Sequence, residues 1–98
     1  NLRGIVHRHL GYYQEAIDDY ESALVIEPQE ANYYIGKGLS YVAMNQAEQA
    51  LLEFNQALEL ETDNGDYFYS RARLLKDLER FDEALVDIEK AILLYRMD

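Results

Sequence analysis

The sequence predicts an all-α fold built from stacked pairs of helices, and three observations carry that prediction. Alanines recur 34 residues apart, as Ala16, Ala50 and Ala84 and again as Ala23, Ala57 and Ala91. A fixed period of that size marks a repeat array rather than a domain with one central core. Apolar residues fall at helical intervals throughout. The segments between them are a few residues long, too short for a strand or a catalytic loop.

Taken in order, the first helix spans Asn1 to Leu10, with Leu2, Ile5, Val6 and Leu10 at helical spacing, and Gly11 ends it. A second runs from about Gln14 to Glu27, where Ala16, Ile17, Tyr20, Ala23, Leu24 and Ile26 form one stripe and Pro28 stops it. The third, from about Glu30 to Met44, carries Tyr33, Tyr34, Ile35, Leu39, Tyr41 and Val42 and is interrupted by Asn45. The fourth, Ala47 to Leu60, buries Ala50, Leu51, Phe54, Ala57, Leu58 and Leu60. Asp63 or Asn64 caps the fifth, about Asp66 to Leu78, and the sixth covers Asp82 to Tyr95. Each consecutive pair is an αα-hairpin.

Superimposing the copies aligns Gly4, Gly38 and Ala72, then Ile17, Leu51 and Leu85, then Tyr20, Phe54 and Ile88. Small residues mark close helix approach and large ones fill the space between. A large residue in place of Ala50 is expected to overpack that seam and cost about 1–3 kcal/mol.

This pattern resembles the tetratricopeptide repeat (TPR) family. The middle copy supplies Tyr34, Gly38, Tyr41, Ala50, Phe54 and Ala57, with Lys37 where the family has Leu and Thr62 where it has Pro. The first copy keeps Gly4, Ala16, Tyr20, Ala23 and Pro28 but has His7 at the Tyr position, and the third keeps Phe68, Ala84 and Ala91. The resemblance implies a right-handed α-solenoid of three antiparallel pairs. It forms a single repeat domain over 1–98, with repeats of about 1–30, 31–64 and 65–98. The shortened first repeat, and Ile88, Ile92, Leu94 and Tyr95 on an uncapped last helix, imply a fragment of a longer array or copies that associate end to end.

Composition narrows function. A net charge of −10 argues against nucleic acid and against anionic membranes. The absence of cysteine removes thiolate chemistry and disulfides. No apolar run is long enough to span a membrane, which points to a soluble, cytoplasmic protein. His7 and His9 are two apart and diverge on a helix, so no metal site is expected. The carboxylates read as solvated charge, Gly36-Lys37-Gly38 is no phosphate loop, and neither catalytic nor cofactor-binding residues are expected.

The first-helix segments hold six cations, Arg3, Arg8, Lys37, Arg71, Arg73 and Lys76, against Asp66 and Asp77, a net +4 inside a remainder of −14. The resemblance implies that these helices line a concave groove. Its residues would be Ile5, Arg8 and His9 from the first repeat, Asn32, Ile35, Leu39 and Val42 from the second, and Tyr69, Arg73 and Lys76 from the third, with Asp77 beside them. An apolar floor edged by cations suits a protein partner offering a peptide of apolar and acidic side chains. The family's adaptors for chaperone tails use a Lys, Asn, Asn, Lys, Arg clamp. The corresponding Asn1, Ile5, Gly36, Asp66 and Ser70 do not match it, so such an adaptor is not expected.

Overall fold

The computed structural model describes residues 2–97. Six helices follow one another: α1 (Leu2–His9), α2 (Tyr13–Ile26), α3 (Ala31–Ala43), α4 (Ala47–Leu60), α5 (Gly65–Asp77) and α6 (Phe81–Tyr95). Each bound lies within a residue or so of its sequence expectation; Asn1, read into the first helix, lies outside the described residues. Consecutive helices pack against each other, and α1 also touches α3, so hairpins α1–α2, α3–α4 and α5–α6 stack side by side.

The three hairpin turns share one backbone solution. Gly11, Asn45 and Glu79, spaced 34 apart, all have positive φ, at 84°, 63° and 61°. The amide after each donates to a carbonyl five residues back: Tyr12 to His7, Gln46 to Tyr41 and Arg80 to Leu75, at 2.8–2.9 Å. This is the Schellman closure of a helix C-terminus. Gly11 was expected in that role, and Asn tolerates it. Glu79 was not foreseen, because a non-glycine residue pays about 1–2 kcal/mol to sit there. At the repeat boundary Asn64 caps α5, its side chain accepting from the Asp66 and Tyr67 amides at 3.0 and 3.4 Å.

The core follows the repeat. Ala16, Ala50 and Ala57 are completely buried, and Ile17, Tyr20 and Phe54 are nearly so. Two clusters carry it, one around Ala57, Leu58, Tyr67, Phe68 and Ala91, the other around Ala50, Leu51, Phe54, Leu74, Leu75 and Ala84. Ile26 and Leu60, expected inside, are exposed, because each is the last residue of its helix and projects past its neighbour. Leu94, expected on the open surface, instead packs partly on the first cluster. Leu85 is more than half exposed although its equivalents Ile17 and Leu51 are buried, since among the described residues no helix covers that side of α6.

Glycine is required where rings press on backbone. A Cβ at Gly38 would stand 2.3 Å from the Phe54 ring, and one at Gly36 2.3 Å from that of Tyr20. Alanine normally gains about 1 kcal/mol over glycine inside a helix. At Gly38 the overlap with a buried ring outweighs that gain. Gly38→Ala is therefore expected to lower stability by about 1–3 kcal/mol in urea unfolding, and a neutral or stabilising result would show that α3 and α4 are free to move apart.

Candidate functional site: the face lined by the first helices

On the side of the stack formed by α1, α3 and α5, two hollows adjoin. One, about 390 Å³, is lined by Ile5 and Arg8 of α1, by Asn32, Ile35 and Leu39 of α3, and by Glu30, Tyr33, Gly36 and the Tyr20 ring. The other, about 120 Å³, lies between α3 and α5 and is lined by Leu39, Val42, Ser70, Arg73, Leu74, Asp77 and the Phe54 ring. Leu39 belongs to both and forms the ridge between them. Seven of the ten residues expected in a groove, Ile5, Arg8, Asn32, Ile35, Leu39, Val42 and Arg73, thus come together. His9, Tyr69 and Lys76 are exposed but line neither hollow.

Sequence reasoning missed the floor. Tyr20 and Phe54 were read as packing residues, yet each ring edge closes the bottom of a hollow. Their shared register, 34 apart beneath the first helices, is the signal that places them. Arg8 Nε lies 3.4 Å from the Tyr20 hydroxyl, a long contact that leaves its guanidinium open to a ligand. Arg73 is exposed and makes no ion pair among the described residues. Asn32 is partly engaged, because the Tyr67 hydroxyl donates to its Oδ1. Burial and the charge of Glu61 hold the Tyr67 phenol above its ordinary range, so it remains a donor at neutral pH.

The expected charge excess of this face is corrected by the structure. Arg3, Lys37 and Arg71, 34 residues apart, do not serve the groove; each pairs with an acid of a second helix 16 residues on. Arg3 reaches Asp19 at 3.5 Å, Lys37 reaches Glu53 at 3.3 Å, and Arg71 holds Asp87 in a two-pronged pair at 2.7 and 2.8 Å. Lys37 also reaches back to Glu21 at 3.4 Å, and Arg71 to Asn55 at 3.0 Å, tying each repeat to the one before. Lys37 and Asp87 are buried, at 8% and 4% exposure, which explains Lys in place of the family's Leu. Three cations, Arg8, Arg73 and Lys76, then face Asp66 and Asp77, and the net +4 falls to +1. Each hollow holds one cation and one acid: Arg8 with Glu30, Arg73 with Asp77.

His7, at the same register as Tyr41, is half-buried with its Nδ1 2.5 Å from Asp19 Oδ2, so Asp19 is a packed partner rather than the solvated carboxylate expected. Among the described residues no His, Asp and Glu cluster could hold a metal ion, and no helix is long and apolar enough to cross a membrane. A larger hollow, about 720 Å³, lies on the opposite side among α4, α5 and α6. Two ion pairs lie in its wall, Arg71 with Asp87 and Arg80 with Glu83, the latter at 2.5 and 3.1 Å. Arg71 and Lys90 both stand over the Phe68 ring there. A ligand seeking Arg71 or Arg80 would have to displace the acid that each already holds, whereas Arg73 in the smaller hollow makes no ion pair among the described residues.

Models of the tetratricopeptide repeat match residues 1–30 and 35–97. The chain belongs to the tetratricopeptide-repeat family. Solved structures of the same fold include MamA 41-end from Desulfovibrio magneticus RS-1, at 21% identity and a TM-score of 0.91 over 97% of this chain and 54% of that one. The second TPR of Spaghetti (RPAP3) bound to the HSP90 peptide SRMEEVD matches at 25% identity and a TM-score of 0.88, over 94% and 85% of the two chains. The Yersinia enterocolitica type III secretion chaperone SycD, in complex with a peptide of the translocator YopD, matches at 18% and 0.87, over 93% and 70%. The chain spans about half the length of the MamA chains it matches. No curated protein matches it.

Two predictions follow from the outer ion pairs. Arg71→Met leaves the Asp87 carboxylate buried without its partner and is expected to cost about 3 kcal/mol in urea unfolding, most of it recovered when Asp87→Leu is added. Glu53 titrates above its ordinary range, because burial outweighs the attraction of Lys37. A carboxyl whose folded pKa is raised binds its proton more readily in the native state, so its contribution to stability falls as pH rises from about 4.5 through the raised value. The stability difference between wild type and Glu53→Gln should therefore shift against the wild type across that window. A difference independent of pH would show that Glu53 is not desolvated.

Proposed function

We propose that the chain is a protein-interaction module that takes a peptide segment of a partner protein across the face lined by α1, α3 and α5. The observation that carries this reading is the pair of adjoining hollows divided by Leu39. Each offers a ring floor and aliphatic walls for an apolar side chain, with a cation at its edge. The larger accepts a bulky side chain and the smaller, about 120 Å³, a single aliphatic one. Arg73, exposed and unpaired, is the anchor for an acidic residue of the ligand. The chain acts by binding, not by catalysis.

The Spaghetti structure supports this ligand class: its bound peptide, SRMEEVD, mixes Met and Val with acidic residues. The mode of holding differs here. Of the positions that correspond to the chaperone-tail clamp, Gly36 lies under the Tyr20 ring, and Asp66 is negative and accepts from the Tyr95 hydroxyl at 2.6 Å. A terminal carboxylate finds no cation at either, and the ligand is held instead along its length by the two hollows.

Fluorescence anisotropy with labelled peptides of mixed Leu, Met, Val, Asp and Glu tests the reading. Arg73→Glu is expected to weaken binding about tenfold, and Lys76→Glu, outside the hollows, less than about threefold. Wild-type affinity in the combined Arg8→Glu and Arg73→Glu variant would overturn the groove assignment. Failure of every apolar-acidic peptide to bind would overturn the ligand class.

A further inference from the structure

Asn32 and Asp66 hold the same register, in the first turns of α3 and α5, and each accepts a hydrogen bond from a tyrosine of a later helix. Asn32 accepts from the Tyr67 hydroxyl of α5 and Asp66 from the Tyr95 hydroxyl of α6, the latter at 2.6 Å. What the bond leaves over differs between them. A carboxylate has acceptors only, so Asp66 has no donor to offer a ligand. An amide has one acceptor oxygen and two N–H donors. With its Oδ1 occupied by Tyr67, Asn32 has its NH2 on the other arm of the amide, without a partner among the described residues.

Tyr67 can fix that direction because it is itself held. It is 7% exposed, and its ring packs in the cluster that contains Ala31, the residue before Asn32, together with Ala57 and Leu58. Its hydroxyl has one proton to give. Burial first, and then the negative charges of Glu61, Glu30 and Asp66, keep that proton on the phenol. In the opposite orientation of the amide, the phenol would have to accept from Asn32 and send its proton elsewhere. Asn32 is exposed and lines the larger hollow beside Arg8, Ile35 and Glu30. The contact crosses a repeat boundary: Tyr67 belongs to the third repeat, and the hollow lies between helices of the first and second.

We infer that Tyr67 is a positioning residue for the groove: it sets the Asn32 amide so that the NH2 faces the larger hollow and binds a main-chain carbonyl of the ligand there. Tyr67 touches no ligand and acts only through Asn32. The acceptor is a neutral one, because Glu30 on the same hollow repels a carboxylate and leaves the acid of the ligand to Arg73. A bulky side chain of the ligand then fills the space over the Tyr20 ring, and the adjacent carbonyl meets Asn32. The consequence for the ligand rests on the groove reading proposed above; the direction of the amide does not.

Two measurements test the inference, the first without any ligand. In the free, isotope-labelled chain, nuclear Overhauser contacts of the Asn32 NH2 should be stronger to the Ile35 methyl groups than to the Tyr67 ring. Tyr67→Phe, which removes only the hydroxyl, should even them out. An NH2 turned to the Tyr67 hydroxyl in the wild type overturns the inference whether or not a peptide binds. The second measurement uses the tightest-binding labelled peptide of mixed Leu, Met, Val, Asp and Glu. Its main-chain amides are replaced one at a time by esters, whose carbonyls are weaker acceptors. One replacement beside the bulky residue should weaken binding to the wild type about fivefold and cost nothing further in Asn32→Leu. Tyr67→Phe should weaken the all-amide peptide about threefold and leave that ester peptide unchanged, whereas a merely structural role would weaken both alike. Asn32→Asp, which still accepts from Tyr67 but has no N–H to give, should lose as much as Asn32→Leu. Circular dichroism checks that each variant remains folded. Equal losses for both peptides in Tyr67→Phe, or wild-type affinity in Asn32→Leu, overturn the inference. If no peptide binds the wild type, the groove reading fails, and the direction of the NH2 alone decides whether Tyr67 positions Asn32.

Discussion

Tyr20 makes the contact on which the rest of the structure depends. Its ring lies against Gly4 of α1 within its own repeat and against Gly36 of α3 in the next, so one side chain fixes the spacing of three helices. Neither glycine position has room for a Cβ without moving that ring. Phe54 repeats the arrangement, with Gly38 on one side and Ser70 near the other. Because a ring pressed between two helix backbones leaves little freedom in their separation, the first helices end up side by side on one face. The two hollows are the spaces left above those rings, between helices held at a set distance.

The ion pairs work in the same register but on the other side of each first helix. Lys37 and Arg71 each bridge a residue of the preceding repeat and an acid of their own, so they resist both sliding and rotation of one hairpin on the next. Buried charge is a poor source of net stability but penalises any arrangement that separates the partners. Lys37 lies between the Glu21 and Glu53 carboxylates, so a shift of either hairpin would separate it from one of them. These bridges engage Lys37 and Arg71, and Arg3 turns to Asp19, leaving Arg8, Arg73 and Lys76 as the positive groups on the groove side.

Much of this was legible in the sequence. The 34-residue recurrence of alanines placed six helices to within about a residue, and the family's pattern of variable positions named seven residues that the hollows bring together. What escaped was direction. Which way Arg3, Lys37 and Arg71 point depends on the rotation of each first helix relative to both neighbours, and counting charge by segment averages over it. The information was nonetheless present, as opposite charges 16 apart repeated at 34: Arg3 and Asp19, Lys37 and Glu53, Arg71 and Asp87. Glu79 escaped for a different reason. Its left-handed backbone is imposed by the turn it shares with Gly11 and Asn45, against the residue's own preference.

The period also accounts for why the face lined by α1, α3 and α5 has two distinguishable ends. Ile5, Leu39 and Arg73 occupy one register on α1, α3 and α5, and Arg8, Val42 and Lys76 another. Equivalent positions thus form rows across the stack, while the residues along each row differ. The first row runs from apolar on α1 and α3 to a cation on α5; the second is apolar at its centre, with a cation on each flank. A peptide lying across these rows would meet a different sequence of environments in each direction. On the proposed binding mode, apolar side chains of the ligand lie over Ile5 and Leu39 with an acidic side chain toward Arg73, and reversal would bring that acid instead to Arg8, which already contacts the Tyr20 hydroxyl and shares its hollow with Glu30. Packing requirements hold Gly38, Ala50, Phe54 and Ala57 nearly constant in character, so under the proposed function orientation and choice of ligand would fall to the few first-helix positions whose side chains the stack does not need.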